Sequence, residues 1–401
     1  MSNYNKITPE GTRDALFEEC EAKRRVQNAL GRLFRGRGFD EVMTPGLEFY
    51  DVFCSNAAYF PQESMYKLTD SKGRLMVMRP DCTIPIARLT GAKLGGLPRP
   101  LRLYYSQEVY RNHPVLRGVS DEIAQMGVEF IGAAGEGADL EMLQLAARCM
   151  TACGLERFRL EICHIGFFKK LLAAAGLASG QGEEARQLIE SKNYAALGDL
   201  LDGCPDSPAA RTLRRLPRLF GTGETLDEAE ALLGEASPQL ETLRRLYSGL
   251  EALGLGDKVM VDLGLVNQAE YYTGVIFRGY LEGVGEPVLS GGRYDGLMAD
   301  FGEPAPATGF AVNVDLMAGA LMEQSAAQRR PVDVLVHGGP GLWTEAIREA
   351  DRLAAAGTRC EVSPFETEEE ALDYARLRGV RTLRRTGAEP VDIPVGKEGG
   401  R

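Results

Sequence analysis

The sequence predicts an α+β fold: an antiparallel sheet flanked by helices, with a helical insertion and a small α/β unit at the end of the chain. Strand-like runs at Leu75–Met78, Leu101–Tyr105 and Val128–Ile131 are separated by turns rather than by regular helices, which favours antiparallel pairing. From about residue 167 to 256, Leu and Ala dominate and β-branched residues are scarce, a composition typical of helices. After residue 331, strand-like and helix-like segments alternate, which indicates an α/β unit.

The individual elements follow from apolar spacing and from the positions of glycine and proline. Residues 12–37 carry apolar side chains near helical spacing and end at Gly36 and Gly38. The short strand predicted at Glu41–Thr44 stops at Pro45. The other elements predicted before the break are a helix at Leu140–Met150, strands at Val259–Leu263, Tyr272–Tyr280 and Val288–Ser290, and a helix at Val314–Met322.

A polar break at Gln324–Pro331 divides the chain into two predicted domains, residues 1–323 and residues 331–401. The first contains the helical insertion at about 167–256. The second has predicted strands at Val332–His337, Cys360–Val362 and Val380–Leu383 and predicted helices at Trp343–Ala356 and Glu368–Arg378.

Charge and composition narrow the classes of function. The 401 residues are 44% hydrophobic and 26% charged, with a formal net charge of −11, the balance of an ordinary globular protein. Proteins that hold RNA or DNA usually present a basic face to the phosphates. The acidic chain, with no dense run of Lys and Arg, therefore argues against a nucleic-acid ligand.

No targeting or metal-binding pattern is present. The polar N-terminus has no apolar core of a signal peptide, and no apolar stretch approaches the roughly 20 residues that span a bilayer. The eight cysteines show no CxxC spacing, and there are three histidines. We therefore expect a cytoplasmic protein without a metal site or a cofactor.

Four segments carry more information than packing alone. They are Gly38–Pro45, Tyr110–Arg111 followed by Gln125–Phe130, Tyr271–Phe277, and Gly291–Leu297 followed by Thr308–Ala311. Their order and separation resemble the signature motifs of histidyl-tRNA synthetases, and Pro9–Asp14 and Met78–Thr83 are also similar to that family. The resemblance covers about residues 7–322. It implies a class II aminoacyl-tRNA-synthetase-like fold that forms a dimer through its first motif.

The resemblance also implies a histidine pocket. The positions that match those holding the amino acid, or the motif 2 arginine beside it, are Asp81, Thr83, Arg111, Gln125, Glu129, Tyr271 and Tyr272. Carboxylates and amide oxygens suit an ammonium group, and tyrosines can frame a planar ring. Read without the resemblance, Asp81 and Thr83 could equally form a polar turn, and Arg111 could be a structural ion-pair partner. Gln125 and Glu129 point to the same side of a strand.

The sequence lacks most of the arginines that the family uses for adenylation, the reaction that joins the amino acid to ATP. That reaction needs arginines, because a guanidinium group binds phosphate oxygens through two hydrogen bonds and stays charged. Asn267 and Leu316 stand where the family has two of its three arginines. Ser120-Asp121-Glu122 also adds acid where phosphates would approach. Aminoacylation is therefore predicted to be lost.

A histidine pocket without the arginines is similar to the regulatory subunits of ATP phosphoribosyltransferase, a paralogous family in histidine biosynthesis. This similarity implies a non-catalytic subunit that joins a short-form catalytic subunit in a hetero-oligomer and mediates feedback by histidine. The alternatives are a divergent histidyl-tRNA synthetase, a synthetase-like module that binds tRNA or another protein, and a different ligase-like enzyme on the same fold.

Overall fold

The protein is described from a computed structural model, which covers residues 4–54, 60–113, 120–266, 271–325, 332–387 and 389–396. The chain forms two compact units, residues 1–326 and 327–401. No helix in the described ranges has the length and apolarity needed to cross a membrane.

The first unit is built on a nine-stranded sheet and a three-stranded sheet. Its strands are β1 (Asp40–Glu41), β2 (Leu47–Phe49), β3 (Lys67–Thr69), β4 (Leu75–Met78), β5 (Leu101–Tyr110), β6 (Glu122–Ile131), β7 (Phe158–His164), β8 (Phe220–Gly221), β9 (Val259–Asp262), β10 (Val275–Leu281), β11 (Leu289–Arg293) and β12 (Ala307–Asn313). Its helices are α1 (Phe17–Gly36), α2 (Asp51–Cys54), α3 (Thr83–Leu89), α4 (Glu136–Ala152), α5 (Ile165–Ala174), α6 (Ser179–Glu190), α7 (Tyr194–Asp202), α8 (Pro208–Arg215), α9 (Glu224–Leu233), α10 (Pro238–Ala252) and α11 (Val314–Ser325).

The large sheet is mixed, whereas the sequence predicted an antiparallel one. Six central strands, in the order β5-β6-β12-β11-β10-β7, are antiparallel throughout. Towards the two edges, β1 pairs with β5 and β9 pairs with β7 in parallel. Parallel neighbours need a long crossover connection. The helical insertion α5–α10 is the crossover between β7 and β9, so the insertion is what allows these two strands to pair in parallel.

One face of the sheet is covered by helices and the other carries polar side chains. Leu160, Ile162 and Phe277 are almost fully buried, and α4 and α10 contact the strands that carry them. Along each strand the residues between such positions point to the opposite face. That opposite face holds Gln125 and Glu129 on β6.

Several element boundaries differ from the sequence predictions. Helix α1 begins at Phe17 rather than residue 12, and β1 ends at Glu41 rather than Thr44. Strand β10 begins at Val275, not at Tyr272. Strands β7 and β12 were not predicted, although they lie in the centre of the sheet. Gly309 and the two alanines of β12 lower its strand propensity.

The second unit is a four-stranded sheet with two helices. Its strands are β13 (Val334–His337), β14 (Cys360–Val362), β15 (Thr382–Arg385) and β16 (Val391–Pro394), and its helices are α12 (Trp343–Ala355) and α13 (Glu368–Arg378). Strands β14, β13 and β15 are parallel, and β16 is antiparallel to β15. The unit has buried side chains of its own, including Leu335, Ala371 and Leu383.

Candidate functional site

The polar face of the central sheet forms the floor of a cavity of about 530 Å³. Gln125, Gly127 and Glu129 of β6 lie directly opposite Asn313, Ala311 and Gly309 of β12. Side chains that are opposite one another in register share a face. The glycines and the alanine leave that face open, and the two polar side chains therefore point into the space above the sheet.

The structure brings all seven residues assigned from the sequence to this cavity: its lining includes Asp81, Thr83, Arg111, Gln125, Glu129, Tyr271 and Tyr272. They come from four separate stretches of the chain. Asp81 lies just before α3 and Thr83 is the first residue of that helix, Arg111 follows β5, β6 supplies Gln125 and Glu129, and the segment before β10 supplies the tyrosines.

Glu129 is the most enclosed ionisable group of the cavity, with 1% of its surface exposed. One carboxylate oxygen accepts a hydrogen bond from Thr83 Oγ1 at 2.7 Å, and the other accepts one from the hydroxyl of Tyr294. Burial raises the pKa of Glu129 to about 8, although these two hydrogen bonds act in the opposite direction. A cation bound beside Glu129 would relieve this cost of burial.

Asp81 and Gln125 are held by neighbouring groups. Asp81 Oδ1 accepts a hydrogen bond from the backbone N–H of Ile84 at 3.0 Å. Burial raises the pKa of Asp81, against the hydrogen bond from Ile84 and the charge of Arg111. The hydroxyl of Tyr105 donates to Gln125 Oε1 at 3.0 Å, which leaves the amide NH₂ of Gln125 to donate to a ligand.

Tyrosine rings form one wall. The ring centroids of Tyr271 and Tyr272 are 4.7 Å apart, and that of Tyr294 is 5.8 Å from Tyr271. Both paired tyrosines are less than one tenth exposed. Aromatic walls of this kind suit a planar ring.

Tyr294 and Tyr105 were not assigned from the sequence. Tyr294 lies within the segment Gly291–Leu297, directly after β11, whose last residues include Gly291 and Gly292. The neighbouring Arg293 fixes this end of β11, since its guanidinium group binds Asp139 of α4 at 2.8–3.0 Å and both side chains are buried.

The other end of the cavity has few cations for phosphate. Leu316 lines it, and the adjacent Asp315 accepts a hydrogen bond from Ala124 N at 2.7 Å and pairs with Lys23. Arg111 reaches the cavity, but its Nε donates to the carbonyl oxygen of Pro80 at 2.9 Å. Asn267, the other substituted arginine position, lies outside the described residues.

Asp121 binds three other segments next to this end of the cavity, although it does not line the cavity itself; its partner His113 and its neighbour Ser120 do. Its carboxylate accepts hydrogen bonds from the Tyr66 hydroxyl and from the backbone N–H of His113 at 3.1 Å, and it lies 3.0 Å from His113 Nδ1. Its backbone N–H donates to the carbonyl oxygen of Gly11 at 2.7 Å. The acidic side chain is thus held by protein groups beside the cavity.

The charges that line the cavity suit a small cationic or zwitterionic ligand. Four carboxyl groups (Asp81, Glu129, Glu286 and Asp315) face two arginines and one histidine (Arg13, Arg111 and His113). Within the described part of the chain, no three His, Cys, Asp or Glu side chains are grouped to hold a metal ion.

Comparison with known proteins identifies the relatives of this chain. Residues 11–317 match the family model described as histidyl-tRNA synthetase. A protein of Clostridium kluyveri named ATP phosphoribosyltransferase regulatory subunit is 41% identical over 390 residues, which are 96% of this chain and 100% of that protein. A protein of the same name from Bacillus thuringiensis is 36% identical over 406 residues, 99% of this chain and 96% of the relative.

Solved structures confirm the predicted α+β class. The structure described as an ATP phosphoribosyltransferase regulatory subunit/histidyl-tRNA synthetase from Bacillus halodurans is 30% identical, with a TM-score of 0.82 over 93% of this chain and 97% of that chain. A histidyl-tRNA synthetase from a Nostoc species is 18% identical, with a TM-score of 0.77 over 97% of both chains. The latter similarity shows the fold alone.

Proposed function

Because the chain belongs to the family of ATP phosphoribosyltransferase regulatory subunits and, through residues 11–317, to the histidyl-tRNA synthetase family, we propose that it senses free histidine in the cavity on its central sheet. A regulatory subunit of this kind is non-catalytic and assembles with the transferase. The catalytic partner we propose is the short-form subunit, which joins ATP to phosphoribosyl pyrophosphate.

The observation that carries the proposal is the convergence of acid, amide and aromatic groups in one enclosed space. We assign the ammonium group of histidine to Asp81, Glu129 and the hydroxyl of Thr83. The paired tyrosines and Gln125 frame the imidazole ring, and Arg111 receives the carboxylate. The cavity of about 530 Å³ is within the range usual for small-molecule sites.

The other end of the cavity supports binding without catalysis. Losing one preorganised cation at a reacting phosphate costs about 2.7–4 kcal/mol of transition-state stabilisation. Here Leu316 lines the phosphate side, and the adjacent Asp315 pairs with Lys23. Histidine would therefore bind and leave unchanged.

Self-association belongs to the same proposal. Met43, Leu47, Phe49 and Leu75 are 44–74% exposed, and they lie in or beside the first motif and the sheet of β2 and β4. Large apolar side chains grouped on a surface favour a protein interface. We propose that this surface forms the regulatory dimer around which the catalytic subunits assemble.

Regulation follows from linkage. Histidine can shift the complex towards a less active state only by binding that state more tightly, and the size of the shift equals the difference in binding free energy. Variants that weaken histidine binding should therefore weaken inhibition in proportion, while activation by the subunit remains.

The decisive experiment measures phosphoribosyl transfer by the short-form subunit of the same organism, with and without this protein, across a histidine titration. We expect stimulation that histidine reverses. Gln125→Ala and Tyr272→Ala should raise the half-inhibitory histidine concentration about tenfold or more, equivalent to at least 1.4 kcal/mol. The matched control Gln187→Ala, on the exposed surface of α6, should not.

Two results would contradict the proposal. Inhibition that is unchanged in both cavity variants would remove histidine from this cavity. Histidine-dependent exchange between ATP and pyrophosphate would instead establish a working synthetase, and strong salt-dependent tRNA binding would favour an RNA-binding module.

A further inference from the structure

A second cavity, of about 830 Å³, lies over β7, β9 and β10 on the same face of the central sheet. The register shows this directly, because Ala311, Ser290, Arg278 and Glu161 lie opposite one another on four successive strands. Ser290 lines the first cavity, whereas Arg278 and Glu161 line the second. The segment between α6 and α7, from Glu190 to Tyr194, contributes another wall.

One charged pair in this cavity is already satisfied. Arg159 binds Glu161 through Nε at 2.8 Å and Nη2 at 2.7 Å. Its guanidinium group also lies 5.4 Å from the ring centre of Phe220 and 5.7 Å from that of Tyr280. This pair is therefore a fixed part of the wall.

Among the described residues, Arg278 and Asp262 have no ion-pair partner. Arg278 Nη2 donates to the carbonyl oxygen of Val266 at 3.2 Å, and its guanidinium group also hydrogen-bonds the hydroxyl of Tyr280. Asp262 Oδ1 accepts a hydrogen bond from Gly264 N at 2.9 Å. The donors of Arg278 that bind neither Val266 nor Tyr280, and the second oxygen of Asp262, are left for a ligand.

The surroundings of Asp262 would be stabilised by an added positive charge. Burial, followed by the negative charge of Glu161, raises the pKa of Asp262 to about 6, against the hydrogen bond from Gly264 and the more distant charges of Arg278 and Arg159. A cation placed against the carboxylate would offset both unfavourable effects.

We propose that this second cavity binds a free α-amino acid, with its carboxylate on Arg278 and its ammonium group on Asp262. An unpaired guanidinium group beside an unpaired carboxylate complements the two opposite charges that every free amino acid carries on one carbon atom. The remaining volume, next to Tyr194 and Lys192, receives the side chain. This site is independent of the histidine site proposed above.

A phosphorylated ligand fits this cavity less well. Four carboxyl groups line it (Glu161, Glu190, Asp262 and Glu282) beside five cations (Arg157, Arg159, Lys192, Lys258 and Arg278). A phosphate placed on Arg278 would also meet the negative charge of Asp262, and it carries no positive charge of its own to offset that repulsion. Because the charges that line the cavity nearly cancel, the cavity favours a ligand whose own charges also cancel.

The test titrates each of the twenty proteinogenic amino acids into the full-length Tyr272→Ala variant, in which binding at the first site is weakened, and follows binding by calorimetry. We expect at least one amino acid to bind with the affinity that it shows for the wild type. Binding should weaken about tenfold or more in Asp262→Asn and in Arg278→Gln, as expected when one charge-assisted contact is lost. The control Arg211→Gln changes an exposed ion pair with Asp206 outside the cavity and should not weaken binding.

Altered ligands separate the two contacts. The amine that corresponds to the bound amino acid without its carboxylate should bind the wild type more weakly than the amino acid does. In Arg278→Gln the amine and the amino acid should bind with similar affinity. The carboxylic acid that corresponds to the amino acid without its amino group should likewise bind the wild type more weakly than the amino acid. In Asp262→Asn, which keeps an oxygen to accept the hydrogen bond from Gly264 N, the acid and the amino acid should bind with similar affinity. If Arg278→Gln does not fold, Arg278→Lys retains the charge without the fork and should bind with intermediate affinity.

The proposal is overturned if no amino acid binds the Tyr272→Ala variant, or if binding there is indifferent to both Asp262→Asn and Arg278→Gln. Neither result bears on the histidine response measured with Gln125→Ala.

Discussion

Glu129 is a carboxylic acid enclosed by the sheet and two hydroxyl groups, and its titration offers a direct probe of ligand charge. With its pKa near 8, it is largely protonated at pH 7 when the cavity is empty. An ammonium group prefers the ionised form, so bound histidine lowers the pKa of Glu129. We therefore expect histidine binding at pH 7 to release up to about one proton.

Calorimetry in two buffers of different ionisation enthalpy measures that proton. In the wild type the apparent binding enthalpy should differ between buffers, and Glu129→Gln should remove most of the difference, because glutamine cannot titrate. Equal proton release in both proteins would assign the titration to another group, such as the ligand's own imidazole.

The same group makes the unliganded protein sensitive to pH. The pKa of Glu129 is raised on folding from the ordinary glutamate value of 4.5 to about 8, so the unfolded chain ionises first as the pH rises. Its contribution to stability is fully present below pH 4.5 and is lost as the pH rises towards 8. In Glu129→Gln this component of the pH dependence should be absent.

At the residue scale, the sequence predicted the residues that line the cavity better than it predicted the residues that hydrogen-bond to them. The seven assigned residues came from a resemblance that orders motifs along the chain, and the structure brings them together. Tyr105 was missed because tyrosine is common in strands. Its bond to Gln125 depends on the pairing of β5 with β6, in which Tyr105 lies opposite Gly127, and a single sequence does not give that register.

Strand β12 shapes the cavity through a residue with no side chain. A Cβ atom added at Gly309 would lie 2.3 Å from Glu129 Oε2 and from the carbonyl oxygen of Val128. Gly309→Ala must therefore displace Glu129 or separate β12 from β6. We expect a loss of about 1–3 kcal/mol in the free energy of unfolding, with histidine binding at least tenfold weaker.

Urea unfolding and a histidine titration measure the two effects. Gly296→Ala is the matched control, since a Cβ atom there meets nothing within 4 Å and its φ angle is not positive. It should change both quantities little. If Gly309→Ala bound histidine as the wild type does, β12 would not limit the size of the cavity.

At the scale of elements, hydrophobic spacing predicted the long helices well and the central strands poorly. Helix α13 was predicted at its observed bounds, Glu368–Arg378. In the structure the side chain of Thr367 caps its first turn, and Gly379 follows its last residue in the left-handed conformation. Strand β7 was missed, and its parallel pairing with β9 could not be predicted, because the helical insertion separates the two strands in the sequence.

At the scale of the whole molecule, every residue assigned to either cavity lies in the first unit. The second unit has its own buried side chains, including Val336, Ala346 and Leu353, as expected of a separately folding domain. We therefore predict that a chain of residues 1–326 binds histidine within about twofold of the full-length affinity. Calorimetry on the shortened chain checks this, and a tenfold loss would give the second unit a part in binding.

The bonds around Asp121 join three parts of the chain through one small side chain. Its carboxylate is matched by Tyr66 and His113, and a Cβ atom at Gly11 would lie 2.2 Å from one of its oxygens. The space at this position therefore fits a side chain of this size and this charge. A longer or a neutral side chain there would disturb the segments that carry Gly11, Tyr66 and His113 at the same time, so that one substitution would act on all three.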